Sequence, residues 1–364
     1  MSSGIGNRMR CTIFGESHGK AIGCVVEGLP AGEKIDMDEV LIQLARRAPG
    51  RDKIATPRSE EDLPEILSGM LDGRTTGAPL AIMIVNHNTR SGDYDDIARM
   101  PRPGHADYTG HVRYDGFNDI RGGGHFSGRL TAPLVFAGAV CRQILRRRGV
   151  HIGGHILEIH GVRDKEFDPV NVNGQLLEQL AARSFSLIDK AAEDLMREQI
   201  KAAQADKDSV GGIVEAAAVG LPAGLGSPMF DGVENRLAAL LFGIPAVKGV
   251  EFGAGFGFAS MTGSTANDPY DYDKDGNVIT LSNNNGGILG GITSGMPLIV
   301  RVAIKPTPSI PRPQKTIDLI EGKPAEISIG GRHDPCIVPR ALPVVEAALA
   351  LGLLDLAETE NKGG

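Results

Sequence analysis

One domain of mixed α and β structure is the fold class this sequence predicts, and three observations carry it. Apolar runs of strand length recur along the chain, stretches of helical length separate them, and no linker, repeat or composition shift marks a boundary within 364 residues. The expected strands cover 9–14, 22–29, 80–85, 152–162, 213–219, 250–259, 298–304 and 325–329, and the expected helices 38–47, 131–148, 186–205, 231–242 and 341–356. In the second helix Thr131 is the expected N-cap and Pro133 sits in the first turn. Arg146 to Arg148 complement the C-terminal dipole and Gly149 ends the helix. Two segments, 86–124 and 262–296, lack periodicity but are rich in Gly, Asp, Asn, Pro and Arg, as functional loops are.

Charge and composition exclude several classes of function. Lys and Arg number 38 against 45 Asp and Glu, a net charge of −7, and no long basic run or aromatic-studded basic stripe offers a track for nucleic acid. Arginines instead cluster at 46, 47 and 51, at 99 and 102, and at 146–148, a grouping suited to a small anion. Cys11, Cys24, Cys141 and Cys336 are scattered, with no C-x-x-C pair, and read as reduced structural thiols. The N-terminal Met1 to Arg8 has no apolar run of signal-peptide length, and nowhere do 18 uncharged apolar residues occur in succession, which predicts a cytoplasmic protein. Tryptophan is absent and aromatics are 4% of residues, so aliphatic side chains must fill the core.

Four stretches set His, Arg or Asp among glycines and prolines. They are Phe14-Gly15-Glu16-Ser17-His18-Gly19, Arg102-Pro103-Gly104-His105-Ala106-Asp107, Gly122-Gly123-Gly124-His125-Phe126-Ser127-Gly128-Arg129 and Gly331-Arg332-His333-Asp334. Glycine and proline let backbone approach a ligand, while arginine and histidine supply charge and mobile protons. One such stretch is as readily a turn with an incidental polar residue; four with the same chemistry point to a phosphorylated, carboxylated substrate. Arg47, Arg102, Arg129 and Arg332 are the expected anion contacts, and His18 and His105 the expected proton carriers. No H-x-x-x-H or carboxylate pair stands at ligand spacing, so no metal is expected.

Competing motifs fit less well. Gly15-x-Ser17-x-Gly19 matches a nucleophile elbow, but a strand follows where that motif needs a helix. Residues 15–20 are one residue short of a phosphate-binding loop, and no G-x-G-x-x-G occurs. Asp271 to Gly276 opens like a calcium loop but has Ser282 at its twelfth position, and reads better as a hairpin turn. The glycines of 282–295, followed by Lys305, Thr307 and Ser309, suit a phosphate or a flavin. The residues alone leave a serine- or metal-assisted hydrolase and a non-catalytic anion- or flavin-binding module open.

Taken in order, Phe14 to Gly19, Arg102 to Tyr108, Arg121 to Ala132, Asn284 to Ile292, Lys305-Pro306-Thr307 and Gly331 to Cys336 resemble chorismate synthase across nearly the whole chain. The resemblance implies an α+β fold, a β-α-β sandwich whose antiparallel sheets enclose a helical layer, in one catalytic domain over 1–364. It implies conversion of 5-enolpyruvylshikimate 3-phosphate to chorismate by 1,4-elimination of phosphate, dependent on reduced FMN, and a homotetramer. By position, His18 would protonate the departing phosphate, His105 would act near the flavin, and Asp334 would help the flavin accept the substrate proton. Arg47, Lys53, Arg102, Arg129 and Arg332 would hold the substrate. His125, Phe126, Ser127, Ala246, Gly290, Lys305, Thr307, Ser309 and Arg332 would line the FMN. NADPH as reductant is left open; without a dinucleotide fingerprint, an external flavin reductant is expected. Where many relatives carry three arginines before Pro-Gly, this chain has Arg46-Arg47-Ala48-Pro49. Lys53 replaces a later arginine, and His125 to Thr131 replaces Arg-Ser-Ser-Ala-Arg-Glu-Thr.

Overall fold

Period-two burial builds the first sheet. The computed structural model describes residues 3–49, 62–86, 99–330 and 333–360. Strands β1 (Gly4–Ile5), β2 (Arg10–Gly15), β3 (Ala21–Glu27), β4 (Pro64–Ser68) and β5 (Leu80–Val85) pair antiparallel in the order β1-β2-β3-β5-β4. Ile22, Cys24 and Val26 on β3 and Leu80, Ile82 and Ile84 on β5 are buried on one face, and Val25, Ala81 and Met83 between them are more exposed.

The second sheet is covered on both faces, which explains its continuous apolar runs. It comprises β6 (His151–Ile159), β7 (Val162–Arg163), β8 (Gly212–Val219), β9 (Val247–Phe252) and β10 (Leu298–Ile304), all antiparallel, in the order β9-β10-β8-β6-β7. Ala216, Ala218, Leu298 and Val300 enter the main core, whereas Ala217 and Ile299 enter a smaller outer cluster with Phe167, Leu177 and Leu180. Helices α1 (Met37–Arg47), α2 (Asp107–Arg113), α3 (Thr131–Arg147), α4 (Gly174–Ala181), α5 (Glu193–Ala205), α6 (Val233–Phe242) and α7 (Val338–Glu360) complete the frame. Helix α3 lies on the first sheet, α7 lies on the second, and the two pack on each other, giving the expected sandwich. Gly138 permits their closest approach, because a Cβ there would fall 2.4 Å from Ala347 Cα.

Buried charge ties the helical layer together. Arg46 on α1 and Arg142 on α3 both reach Glu346 on α7. Asp355, also on α7, accepts from the backbone amides of Asn7, Arg8 and Met9 at 2.9, 2.8 and 2.7 Å and so fixes the turn before β2. All four cysteines are free and buried, and burial pushes the Cys336 thiol up to about 12.

Several element boundaries differ from the sequence expectation for local reasons. The run 152–162 is a hairpin, turned at His160 and Gly161 with φ of 47° and 84°. The run 250–259 leaves the sheet at Phe252, where Gly253 passes so close to Asn284 that a Cβ would lie 2.0 Å from its carbonyl oxygen. The helix expected from 186 begins at Glu193: the Ser186 carbonyl accepts from Ile156 N at 2.9 Å, holding the preceding segment extended beside β6. Thr131 does not cap α3; its hydroxyl donates to Gly128 O at 2.6 Å, and Ser127 accepts from Arg129 N instead. The unpatterned segments contain α2 and a hairpin, Tyr270–Tyr272 with Val278–Thr280, whose turn includes Gly276 as expected. Among the described residues no helix is long and apolar enough to cross a membrane.

On the outer face of the second sheet, His155, Glu215, Arg301 and Glu251 stand directly opposite one another on four successive strands, alternating in charge. His155 lies 3.0 Å from Asp164 and 2.9 Å from Glu215, and two carboxylate partners require both ring nitrogens to donate. Burial opposes the imidazolium, but the two carboxylates outweigh it and raise the His155 pKa. Its stabilisation is therefore complete below the unfolded value of about 6.5 and disappears as pH rises through the folded value. Denaturant midpoints should fall over that window, and His155→Gln should flatten the fall at a cost of about 3–5 kcal/mol. An unchanged pH slope in the variant would show that His155 does not carry it.

Candidate functional site

Two histidine loops meet at one glycine turn. Strand β2 ends at Gly15 with φ of 97°, and His18 lies in the short loop before β3. Strand, turn and strand follow in succession, so the helix of a nucleophile elbow is not formed. Asn86, just past β5, donates to Glu16 O at 3.2 Å and Gly19 O at 3.0 Å, and Ser17 N donates to Gly124 O at 3.1 Å. Gly122, Gly123 and Gly124 have φ of 60°, 87° and 53°. A Cβ on Gly122 would lie 2.0 Å from His18 Nδ1, one on Gly123 3.2 Å from His105 Nε2, and one on Gly124 1.8 Å from Asp119 O. His125 braces the turn, with Nδ1 2.8 Å from Gly15 O and Nε2 2.8 Å from Ser3 Oγ.

His105 is oriented by a buried carboxylate. Asp107, the first residue of α2, lies 2.5 Å from His105 Nδ1 and accepts from Arg102 Nε and Nη2 at 2.7 Å each. Burial alone would raise the Asp107 pKa, but the bonds from Arg102 and His105 hold it well below the usual carboxylate range. An ionised Asp107 can only accept, so Nδ1 carries the proton and Nε2 faces Gly123. Arg102 also donates to Ser309 Oγ at 3.0 Å. The arginine expected to meet an anion thus spends these donors on holding the histidine's partner.

Two of the other expected anion contacts, Arg47 and Arg129, converge on an acid that the sequence did not single out. Arg47 Nη2 lies 2.9 Å from Asp62 Oδ2, and Arg129 Nη1 pairs with Asp62 Oδ1. Arg129 Nε donates to Asn86 Oδ1 at 3.2 Å, which couples it to the His18 loop. Arg340, in the first turn of α7, donates to Arg47 O at 2.9 Å and forms an ion pair with Asp334. Thr307 Oγ1 donates to Asp334 O at 2.7 Å, and two residues later Ser309 meets Arg102. Contacts thus run from the carbonyls flanking His18 through Asn86, Arg129, Asp62, Arg47 and Arg340 to Asp334 and Thr307, and, two residues on, from Ser309 through Arg102 to His105, a circuit that Gly122 and Gly123 close beneath the two histidines. Lys53 and Arg332 lie outside the described residues.

Most of the expected flavin contacts adjoin this circuit. Lys305 Nζ donates to Gly104 O, and Lys305 N donates to Ala246 O at 3.0 Å, where Ala246 has φ of 75°. Burial, and then Lys248, lower the Lys305 pKa, so two neighbouring cations here suit a phosphate monoester. Phe126 packs against Tyr114 and close to Gly110 of α2, and Ser127 caps the turn before α3. Gly290 belongs to a separate hairpin, Ile288–Leu289 with Ile292–Thr293, where a Cβ would meet only open space. Asn86, Asp62 and Arg340 had no motif to announce them. Asp107 had one, since it closes the Arg102 to Asp107 stretch.

The family model for chorismate synthase matches residues 9–357. A chorismate synthase of Pyrococcus abyssi is 49% identical over 350 residues, covering 96% of each chain. One of Dehalococcoides mccartyi is 46% identical over 357 residues, covering 98% of this chain and 97% of the relative. A crystal structure of chorismate synthase superposes with a TM-score of 0.77 at 29% identity, over 98% of this chain and 94% of that one.

Gly122→Ala should push His18 from its place and cost about 1–3 kcal/mol from the left-handed backbone and the overlap. Histidine NMR resonances and denaturant midpoints read both effects: the His18 signals should move and those of His155 should not. Unmoved His18 signals would show that the ring does not rest on Gly122.

Proposed function

The chain belongs to the chorismate synthase family, lyases of aromatic amino-acid biosynthesis that eliminate phosphate from 5-enolpyruvylshikimate 3-phosphate, and we propose that in this member His18, His105 and Asp334 carry that reaction. The observation that favours the reading is the seating of both histidines on adjacent glycines, inside a circuit that also includes the arginines and Asp334. In the elimination a C–O bond breaks with its electron pair leaving on phosphate, and a C–H bond breaks with its proton passing to a base. No net oxidation results.

His18 would protonate the departing phosphate, and Arg129, coupled to its loop through Asn86, would stabilise the charge that develops there. Arg47, Lys53 and Arg332 complete the proposed anion contacts. Arg102 would act through Asp107 and through its own approach to the His105 ring, Nη2 lying 3.1 Å from Nδ1, to orient the imidazole so that Nε2 is presented to the reacting centre. Asp334, held by Arg340, would guide the substrate proton.

Family membership carries a flavin requirement. We take the flavin to be reduced FMN, which when bound lends electron density so that phosphate can leave. The residues fit such a group: Lys305 and Lys248 suit its phosphate, and His125, Phe126, Ser127, Ala246, Gly290, Thr307, Ser309 and Arg332 are the proposed lining. The reading extends to one catalytic domain, a cytoplasmic homotetramer, and reducing equivalents supplied externally, with NADPH the alternative.

An anaerobic assay with 5-enolpyruvylshikimate 3-phosphate and reduced FMN, oxidised FMN or no flavin tests the whole. Chorismate and phosphate should form only with reduced FMN, and His18→Ala and His105→Ala should each lower turnover at least about tenfold while keeping the fold. Full turnover in either variant would remove that histidine from the mechanism. No product from folded protein would mean that the replacements at Ala48, Lys53 and His125-Phe126 have changed the substrate or abolished the chemistry.

A further inference from the structure

Asp62 occupies a place that a surface carboxylate does not. It is 6% exposed, Arg47 is 2% exposed, and each of its oxygens addresses a different guanidinium. Oδ2 is buried and makes its 2.9 Å contact to Arg47 as an ion pair without the alignment of a hydrogen bond. Two residues later β4 begins, with Pro64 opposite Ile84 on β5, and β5 leads directly to Asn86. Two neighbouring strands thus deliver the two acceptors that grip Arg129, the Asp62 carboxylate at Nη1 and the Asn86 amide oxygen at Nε. The sheet fixes the carboxylate, and the carboxylate fixes the arginines.

We propose that Asp62 is a positioning residue for the anion site: it sets the spacing and direction of Arg47 and Arg129 and cancels one of their two charges. This rests on reading those arginines as substrate contacts. Without the carboxylate, two buried guanidiniums would repel each other in a medium of low dielectric and turn apart. With it, the two guanidiniums are held to one carboxylate, Arg47 through Nη2 and Arg129 through Nη1.

The sign of the effect discriminates. If Asp62 merely competed with substrate for the arginines, neutralising it would tighten binding of an anion; as a positioning group, its loss weakens binding although the site becomes more positive. Asp62→Asn and Asp62→Glu, assayed with saturating reduced flavin, should each raise KM for 5-enolpyruvylshikimate 3-phosphate at least about tenfold while kcat stays within about threefold. Flavin affinity should not move. The glutamate variant keeps the charge but shifts it by one methylene, so a wild-type KM there would overturn the proposal. So would a lowered or unchanged KM in Asp62→Asn, a loss confined to kcat, or failure of both variants to fold. Arg129→Ala separates this inference from the reading beneath it. An unchanged KM in that variant would sink the anion site itself, whereas a raised KM there with wild-type KM in the Asp62 variants would sink only the role of Asp62.

Discussion

Three successive glycines with left-handed backbone are the constraint on which the site depends. At Gly122 and Gly124 any side chain would collide, with the His18 ring in one case and the Asp119 carbonyl in the other. At Gly123 a Cβ would stand 3.2 Å from His105 Nε2, so the His105 ring lies over a position where a side chain would be crowded. Two histidines from loops far apart in sequence, one after β2 and one before α2, are thereby seated on adjacent residues of a third segment. Glycine costs conformational entropy on folding, and here that cost is offset by packing two imidazoles against a backbone that cannot turn aside.

Around the glycines, acids are matched to the His105 imidazole and to four arginines so that each of these groups has an assigned direction. Asp107 takes Arg102 and His105, Asp62 takes Arg47 and Arg129, and Asp334 takes Arg340. Pairs of this kind add little net stability, because desolvation consumes most of the Coulombic gain. Their effect is geometric. An anion approaching the circuit meets donors whose orientations are already fixed, and a transition state stabilised by such donors does not bear the energy of reorganising them. Arg102 shows the division of labour: with its donors turned to Asp107 and Ser309, it contributes through the histidine it orients.

Much of this was legible in the sequence, and what was not has a physical cause. Strands with one covered face, such as β5, read directly from alternation, and the helical layer read from apolar segments of helical length. The histidine loops read because glycine and proline flank them. Boundaries failed where a tertiary contact overrode a local pattern, as at Ser186, whose carbonyl is claimed by β6, and at Phe252, where Gly253 must clear Asn284. Asp62, Asn86 and Arg340 were invisible for a different reason. A single acid, amide or arginine beside a strand or in a helical first turn has no local signature, and its role exists only once β4, β5 and α7 are brought together. Charge patterning located the arginines but not the acids that direct them.

The positions of those arginines follow from the helical layer. Arg47 ends α1, Arg129 lies just ahead of α3, and Arg340 lies in the first turn of α7, so the ends of three helices converge on the site. The same three helices are pinned deeper in the layer by Arg46, Arg142 and Glu346. Arg46 and Arg47 are adjacent in sequence, yet one is bound to the core acid and the other to Asp62. A shift of α1 along its axis would strain both pairs at once, the first by leaving a buried charge uncompensated and the second by moving a guanidinium out of the circuit. Packing of the core and geometry of the site are therefore set by the same helix register. The sandwich does more than carry the loops: its central layer aims the arginines that the loops alone could not align.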